Sequence, residues 1–205
     1  MNDPRTYFAA QTAAYALPNP SPGLIDVLIG QDLNGLSPYA AVLQNPDGSQ
    51  TVAFKGTTDE PEWIEDAEIT PVKTALGTVT EGIWLTYTGL QTQSGVPLSR
   101  YGGASVCGHS RGGPLAALWA IQYNSPDYCL FACPRLLGSD ALATLHNRVG
   151  MAWQMKGDLV PLVFIAYPEL PAVTEFPAPS SIFPLDVKGH HVFASYQLGI
   201  TAFLS

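Results

Sequence analysis

Ala104-Ser105-Val106-Cys107-Gly108-His109-Ser110-Arg111-Gly112-Gly113-Pro114-Leu115-Ala116-Ala117-Leu118-Trp119-Ala120-Ile121 runs from a short apolar strand pattern into a helix-forming stretch. The two meet at Gly108-His109-Ser110-Arg111-Gly112, which reads G-x-S-x-G. The strand before and the helix after give that pattern its meaning. A strand that turns straight into a helix leaves no room for side chains on the flanks of the turn, and Gly108 and Gly112 meet that demand. Ser110 then presents its hydroxyl above the sheet, beside a helix N-terminus that stabilises developing negative charge. The competing reading is a glycine-rich turn with an incidental serine. The pattern alone does not separate the two, and its context favours a nucleophile.

Outward from this turn the chain alternates strands and helices. Pro38–Gln44 and Gln50–Lys55 read as strands joined by the turn Asn45-Pro46-Asp47-Gly48, a hairpin. Residues 4–16 read as a short helix ended by the Pro-rich stretch 18–22, and Thr78–Gln91 as a helix before the central strand. Beyond the turn come a strand at Tyr128–Cys133, a helix at Ser139–Asn147 and a strand at Val149–Met155 closed by Lys156-Gly157-Asp158. Residues 161–189 hold Pro at 161, 168, 171, 177, 179 and 184 and read as a long irregular loop, of the kind that is often functional. His191–Leu204 reads as helical or mixed. Strands alternating with helices predict a mostly parallel sheet with helices on both faces, and the hairpin adds antiparallel strands at one side. The expectation is one α/β domain over residues 1–205.

Composition narrows the partners. Only 13% of residues are charged against 46% hydrophobic, which excludes a disordered chain. With 9 Lys+Arg against 17 Asp+Glu and no basic run, the chain lacks the cationic surface that nucleic acid or an anionic membrane requires. The 3 cysteines, Cys107, Cys129 and Cys133, are odd in number and sit among apolar neighbours, so they read as buried thiols. They have no partners at zinc spacing. No apolar run is long enough to span a bilayer, and the N-terminus has no apolar leader core. That predicts a cytoplasmic protein, or a secreted one whose sequence starts at a mature end.

A serine hydroxyl is a weak nucleophile until a neighbouring base takes its proton, and histidine oriented by a carboxylate is the usual base. Asp158 follows a strand through a glycine, at the carboxyl end where ligand chemistry collects in parallel sheets. Asp186 is the reserve, without a clear strand before it. The base is one of His190 and His191 near the chain's end. His109 reads as a structural residue under the turn, and His146 as a residue of a surface helix. The charge that develops on attack needs two donors. The backbone N–H of Arg111 is one, and Thr57, after the strand end Phe54-Lys55-Gly56, is the candidate for the other.

With these residues in order, the chain resembles the fungal-lipase-like (class 3) family of α/β-hydrolases over roughly residues 40–200. Phe54-Lys55-Gly56-Thr57 is similar to the family's oxyanion segment, and Trp63 and Asp66 follow at a similar spacing. Val106 to Gly113 resembles its serine turn, and Pro134-Arg135 with Gly138 resembles the element after the next strand. Gly157-Asp158-Leu159-Val160-Pro161 resembles its acid segment, and His191 with Tyr196 its terminal His/Tyr pair. The resemblance implies the α/β-hydrolase fold, Ser110 as nucleophile, Asp158 as acid, His191 as base, and Thr57 and Arg111 as oxyanion donors. It implies a short helical lid at residues 58–68 with Trp63 facing the acyl site. Two positions depart from the family: Arg111 stands where leucine is usual, and Lys55 replaces arginine.

The function these readings predict is a cofactor-free, metal-free serine carboxylesterase or lipase. It would act on lipid or small acyl esters, with transient contact to a lipid interface. A phospholipase or an acyltransferase would use the same three residues, and a binding module on a degenerate hydrolase fold would use none of them.

Overall fold

Thr51, Val52, Ala53 and Phe54 are all buried, the pattern of a strand covered on both faces, and they lie near the middle of one eight-stranded sheet. The computed structural model describes residues 3–32, 35–56, 70–162, 167–171, 173–179 and 191–205. Five strands run parallel: β3 (Gln50–Phe54), β7 (Ser105–His109), β8 (Tyr128–Phe131), β9 (Gly150–Met155) and β10 (Val173–Phe176). On the other flank β3 pairs antiparallel with β2 (Gly35–Gln44), β2 with β1 (Leu24–Asp32), and β1 with the short β6 (Gln91–Thr92). The order is β10-β9-β8-β7-β3-β2-β1-β6, and β4 (Pro71–Thr74) with β5 (Gly77–Thr80) forms a separate hairpin. This is the mostly parallel sheet with antiparallel strands at one side that the sequence predicts.

Alternating residues of each strand divide the core between two layers. Val52, Phe54, Val106, Leu130 and Ala152 pack with α2 (Glu81–Thr88), α3 (Gly112–Tyr123) and α4 (Ser139–His146). Ala53, Cys107, Cys129, Phe131, Met151 and Trp153 pack with α1 (Phe8–Ala16) and α5 (Phe193–Phe203). Most of α3 is buried, and its alanines at 116, 117 and 120 let it lie close to the sheet. It ends at Asn124 in the left-handed conformation asparagine tolerates. All three cysteines are free and buried, and burial pushes each thiol up, which keeps it protonated and unreactive.

Three elements depart from the sequence reading. Residues 78–91 are not one helix: Thr78-Val79-Thr80 completes β5, where β-branched residues pair with β4, and α2 starts only at Glu81. Strand β1 carries no clear sequence signal, because Asp26 and Gly30 interrupt its apolar pattern. The loop expected over 161–189 contains β10, four residues between prolines that add a parallel edge strand to β9.

Asp26 is tolerated inside β1 because its carboxylate is satisfied. It is 6% exposed and accepts from the backbone of Val27 (2.8 Å) and Ser94 (3.2 Å), from the Tyr101 hydroxyl (2.9 Å) and from the Ser94 hydroxyl. Burial alone would raise its pKa, but the donors outweigh it and hold the group below its ordinary value. A lowered folded-state pKa contributes stability above the unfolded value of about 3.9 and loses it as pH falls through the folded value. Asp26→Asn is therefore expected to cost about 1–3 kcal/mol at pH 7 in urea unfolding. The gap to the parent should close at strongly acidic pH, and a constant gap at all pH values would contradict the argument.

Candidate active site

Strand β7 ends at His109 and α3 begins at Gly112, so two residues make the whole connection. Ser110 sits at φ +54°, a left-handed conformation that few non-glycine residues adopt. It is held there from both sides. Its N–H donates to the Phe131 carbonyl of β8 (2.9 Å), and its own carbonyl accepts from Gly113 N–H (2.8 Å). The flanking glycines are required by contact. A Cβ on Gly108 would lie 2.2 Å from the Gly112 carbonyl oxygen, and one on Gly112 would lie 2.4 Å from that of Phe54.

The hydroxyl on this turn meets a histidine from the far end of the chain. Ser110 Oγ is 2.8 Å from His191 Nε2. His191 Nδ1 is 2.9 and 3.1 Å from the two oxygens of Asp158. A carboxylate can only accept, so Nδ1 carries the proton and Nε2 is left to accept from the serine. Ser110, His191 and Asp158 are 3%, 4% and 1% exposed. Asp158 follows β9 and is anchored by more than the imidazole. Its Oδ1 accepts from Val160 N–H (3.0 Å) and its Oδ2 from the Tyr196 hydroxyl (2.7 Å). Tyr196 accepts in turn from Met155 N–H (3.0 Å). Burial and the Asp158 charge push the Tyr196 phenol well above its usual value, so it stays a donor to the carboxylate.

The structure thus brings together Ser110, Asp158 and His191. Thr57, Trp63, the 58–68 segment, Asp186 and His190 lie outside the described residues. Arg111 is where the sequence puts it, at the N-cap of α3. Among the described residues no acceptor is recorded for its backbone N–H. Its side chain turns aside: the guanidinium donates to Thr86 Oγ1 of α2 (2.8 Å) and lies 5.8 Å from the centre of the Tyr39 ring. Gly56 packs directly against Ser110, since a Cβ there would meet Ser110 Cβ at 2.8 Å. Its N–H is already engaged by the Tyr15 hydroxyl at 3.0 Å. Tyr15 is the residue of this neighbourhood that sequence reasoning missed. It lies on α1, and no motif marks it.

A serine, a base and a buried carboxylate in one hydrogen-bonded line can move a proton off the hydroxyl and stabilise the cation that results. Comparison with known proteins bears on the family and the fold. No curated protein matches the chain in sequence. The "Lipase (class 3)" family model matches residues 51–167, more than half of the chain. Solved structures share the fold at low identity. A lipase from Rhizopus microsporus var. chinensis superposes with a TM-score of 0.65 at 19% identity, covering 85% of this chain and 72% of that one. The Rhizomucor miehei lipase in complex with its propeptide gives 0.65 at 18%, covering 97% and 78%. A triacylglycerol lipase from Penicillium expansum gives 0.59 at 14%, covering 93% and 88%. With the family matched over most of the sheet and the serine turn inside the matched span, the chain belongs to the class 3 lipase family, whose chemistry is lipase-type hydrolysis of esters.

Proposed function

We propose that the chain is a serine ester hydrolase that works through an acyl-enzyme on Ser110 and needs no cofactor. The observation that carries this reading is the unbroken line Ser110–His191–Asp158, with the serine on a left-handed turn between strand and helix. The Ser110 oxygen attacks the ester carbonyl carbon while His191 Nε2 takes its proton. Asp158 keeps Nδ1–H in place and stabilises the imidazolium. Negative charge moves onto the carbonyl oxygen, where the Arg111 backbone N–H and Thr57, the second donor expected from sequence, receive it. The bond to the alcohol oxygen then breaks, and the alcohol leaves with the proton from His191. Water attacks the acyl-Ser110 carbonyl with the same base. The carboxylic acid is released and the serine is restored.

The substrates we assign are lipid and small acyl esters, and a chain-length series tests the assignment. With p-nitrophenyl esters from acetate to palmitate, the parent is expected to release p-nitrophenol with one chain-length optimum. Ser110→Ala is expected to lose about 10⁵-fold or more in kcat, with an unchanged thermal midpoint. Parent-like turnover in the folded variant would remove Ser110 from the reaction.

A further inference from the structure

His109 and Tyr15 lie behind the reacting groups, and their hydrogen bonds admit one arrangement. His109 Nε2 is 2.8 Å from the backbone carbonyl oxygen of His191. A carbonyl only accepts, so Nε2 carries a proton. The imidazole is fully enclosed, and burial, reinforced by the neighbouring His191, pushes its pKa well below 6.5, so it is neutral. Its Nδ1 is then bare and accepts. The group 2.6 Å away is the Tyr15 hydroxyl, which must donate. The Tyr15 oxygen accepts in turn from Gly56 N–H at 3.0 Å. The direction of every bond follows: Gly56 N–H to Tyr15, Tyr15 O–H to His109, His109 N–H to the carbonyl of His191.

The two ends of this line are the two parts of the site that must stay in register with Ser110. Gly56 follows β3, packs on Ser110 Cβ and immediately precedes Thr57, the expected oxyanion donor. His191 is the base of the proposed reaction, and the line ends on its backbone carbonyl. Tyr15 and His109 join them through α1 and β7, which belong to neither segment. The rings are themselves fixed. Tyr15 stacks on Phe193 (centroids 6.1 Å, interplanar 18°) and meets the edge of His109 at 5.7 Å. The His109 ring is 5.0 Å from that of His191.

We propose that Tyr15 and His109 are positioning residues, a neutral relay that locks the oxyanion segment and the catalytic base to each other across the nucleophile. The proposal rests on the hydrolase reading above. In turnover the relay touches neither substrate nor a transferred proton. It holds two groups at the separation the transition state requires, where a misplacement of about 1 Å can cost about 100-fold in rate.

Tyr15→Phe deletes the hydroxyl and keeps every ring contact. His109→Asn keeps an acceptor near the Nδ1 position and removes the donor to His191. Both variants and the double variant are assayed on p-nitrophenyl butyrate, with competent sites counted by carrying fluorophosphonate labelling to completion. Each single variant is expected to lose about 10- to 100-fold in kcat per labelled site, with KM within about twofold. The double variant should be no worse than the weaker single, because both break one line. A merely structural pair would lower the labelled fraction or the thermal midpoint and leave kcat per labelled site unchanged. That result, or effects that multiply in the double variant, would overturn the relay. If Tyr15→Phe does not fold, His109→Gln decides. Its amide can donate to His191 again, so kcat above that of His109→Asn supports the relay and an equal kcat refutes it. A folded parent that neither labels nor hydrolyses any ester removes the hydrolase reading itself, and the relay's role with it.

Discussion

Asp158→Asn is expected to lower kcat for ester hydrolysis by about 10⁴-fold, about 5 kcal/mol of transition-state stabilisation, in a protein that still folds. The carboxylate accepts three hydrogen bonds, from His191 Nδ1, Val160 N–H and the Tyr196 hydroxyl. An asparagine fills the same space and can keep the bond from Val160 with its oxygen. Its NH₂ then faces the imidazole, which answers by moving its proton to Nε2. That nitrogen points at Ser110 Oγ across 2.8 Å. A protonated Nε2 cannot accept the serine's proton, so the nucleophile loses its base while every heavy atom stays near its place. Steady-state kinetics near neutral pH, with circular dichroism as a check on folding, measures the loss. A variant within tenfold of the parent would take Asp158 out of the mechanism.

The second large effect concerns stability. Gly108→Ala is expected to cost about 4 kcal/mol or more, a large part of a typical domain's total of about 5–15 kcal/mol, and to yield little folded protein. The new Cβ would lie 2.2 Å from the Gly112 carbonyl oxygen, 2.5 Å from its carbon and 2.9 Å from Ala116 Cβ. Two of these are backbone atoms of the helix that buries against the sheet, and relieving the clash means moving Ser110. Gly103→Ala is the control. Nothing lies within 4 Å of a Cβ there, so the substitution is expected to be neutral or to stabilise by about 0.4–1 kcal/mol. Thermal unfolding and soluble yield compare the two. Similar stabilities would mean that the turn is looser than its contacts indicate.

The readable parts of this protein were local. The serine turn, the β2–β3 hairpin and the Gly-Asp after β9 each declare themselves within about ten residues, through glycines, turn residues and alternating apolar positions. The unreadable parts depend on distant partners. Asp26 interrupts the apolar pattern of β1, and the Ser94 and Tyr101 groups that satisfy it lie 68 and 75 positions away. Thr78 to Thr80 are all β-branched, but three residues are too short a run to separate from the helix that follows without the pairing with β4. Tyr15 is 94 positions from His109, in an alanine-rich helix that reads as packing alone. Arg111 was legible as a charge beside the serine, and its turn towards Thr86 and Tyr39 was not.

The central claim is that Ser110 is the nucleophile, and covalent trapping tests it most directly. An alkyl fluorophosphonate reacts with an activated serine by forming an O–P bond and expelling fluoride, and peptide mass mapping locates the adduct. A single adduct is expected, on Ser110, forming much more slowly in Asp158→Asn. An adduct on another residue, or none on the folded parent, would contradict it.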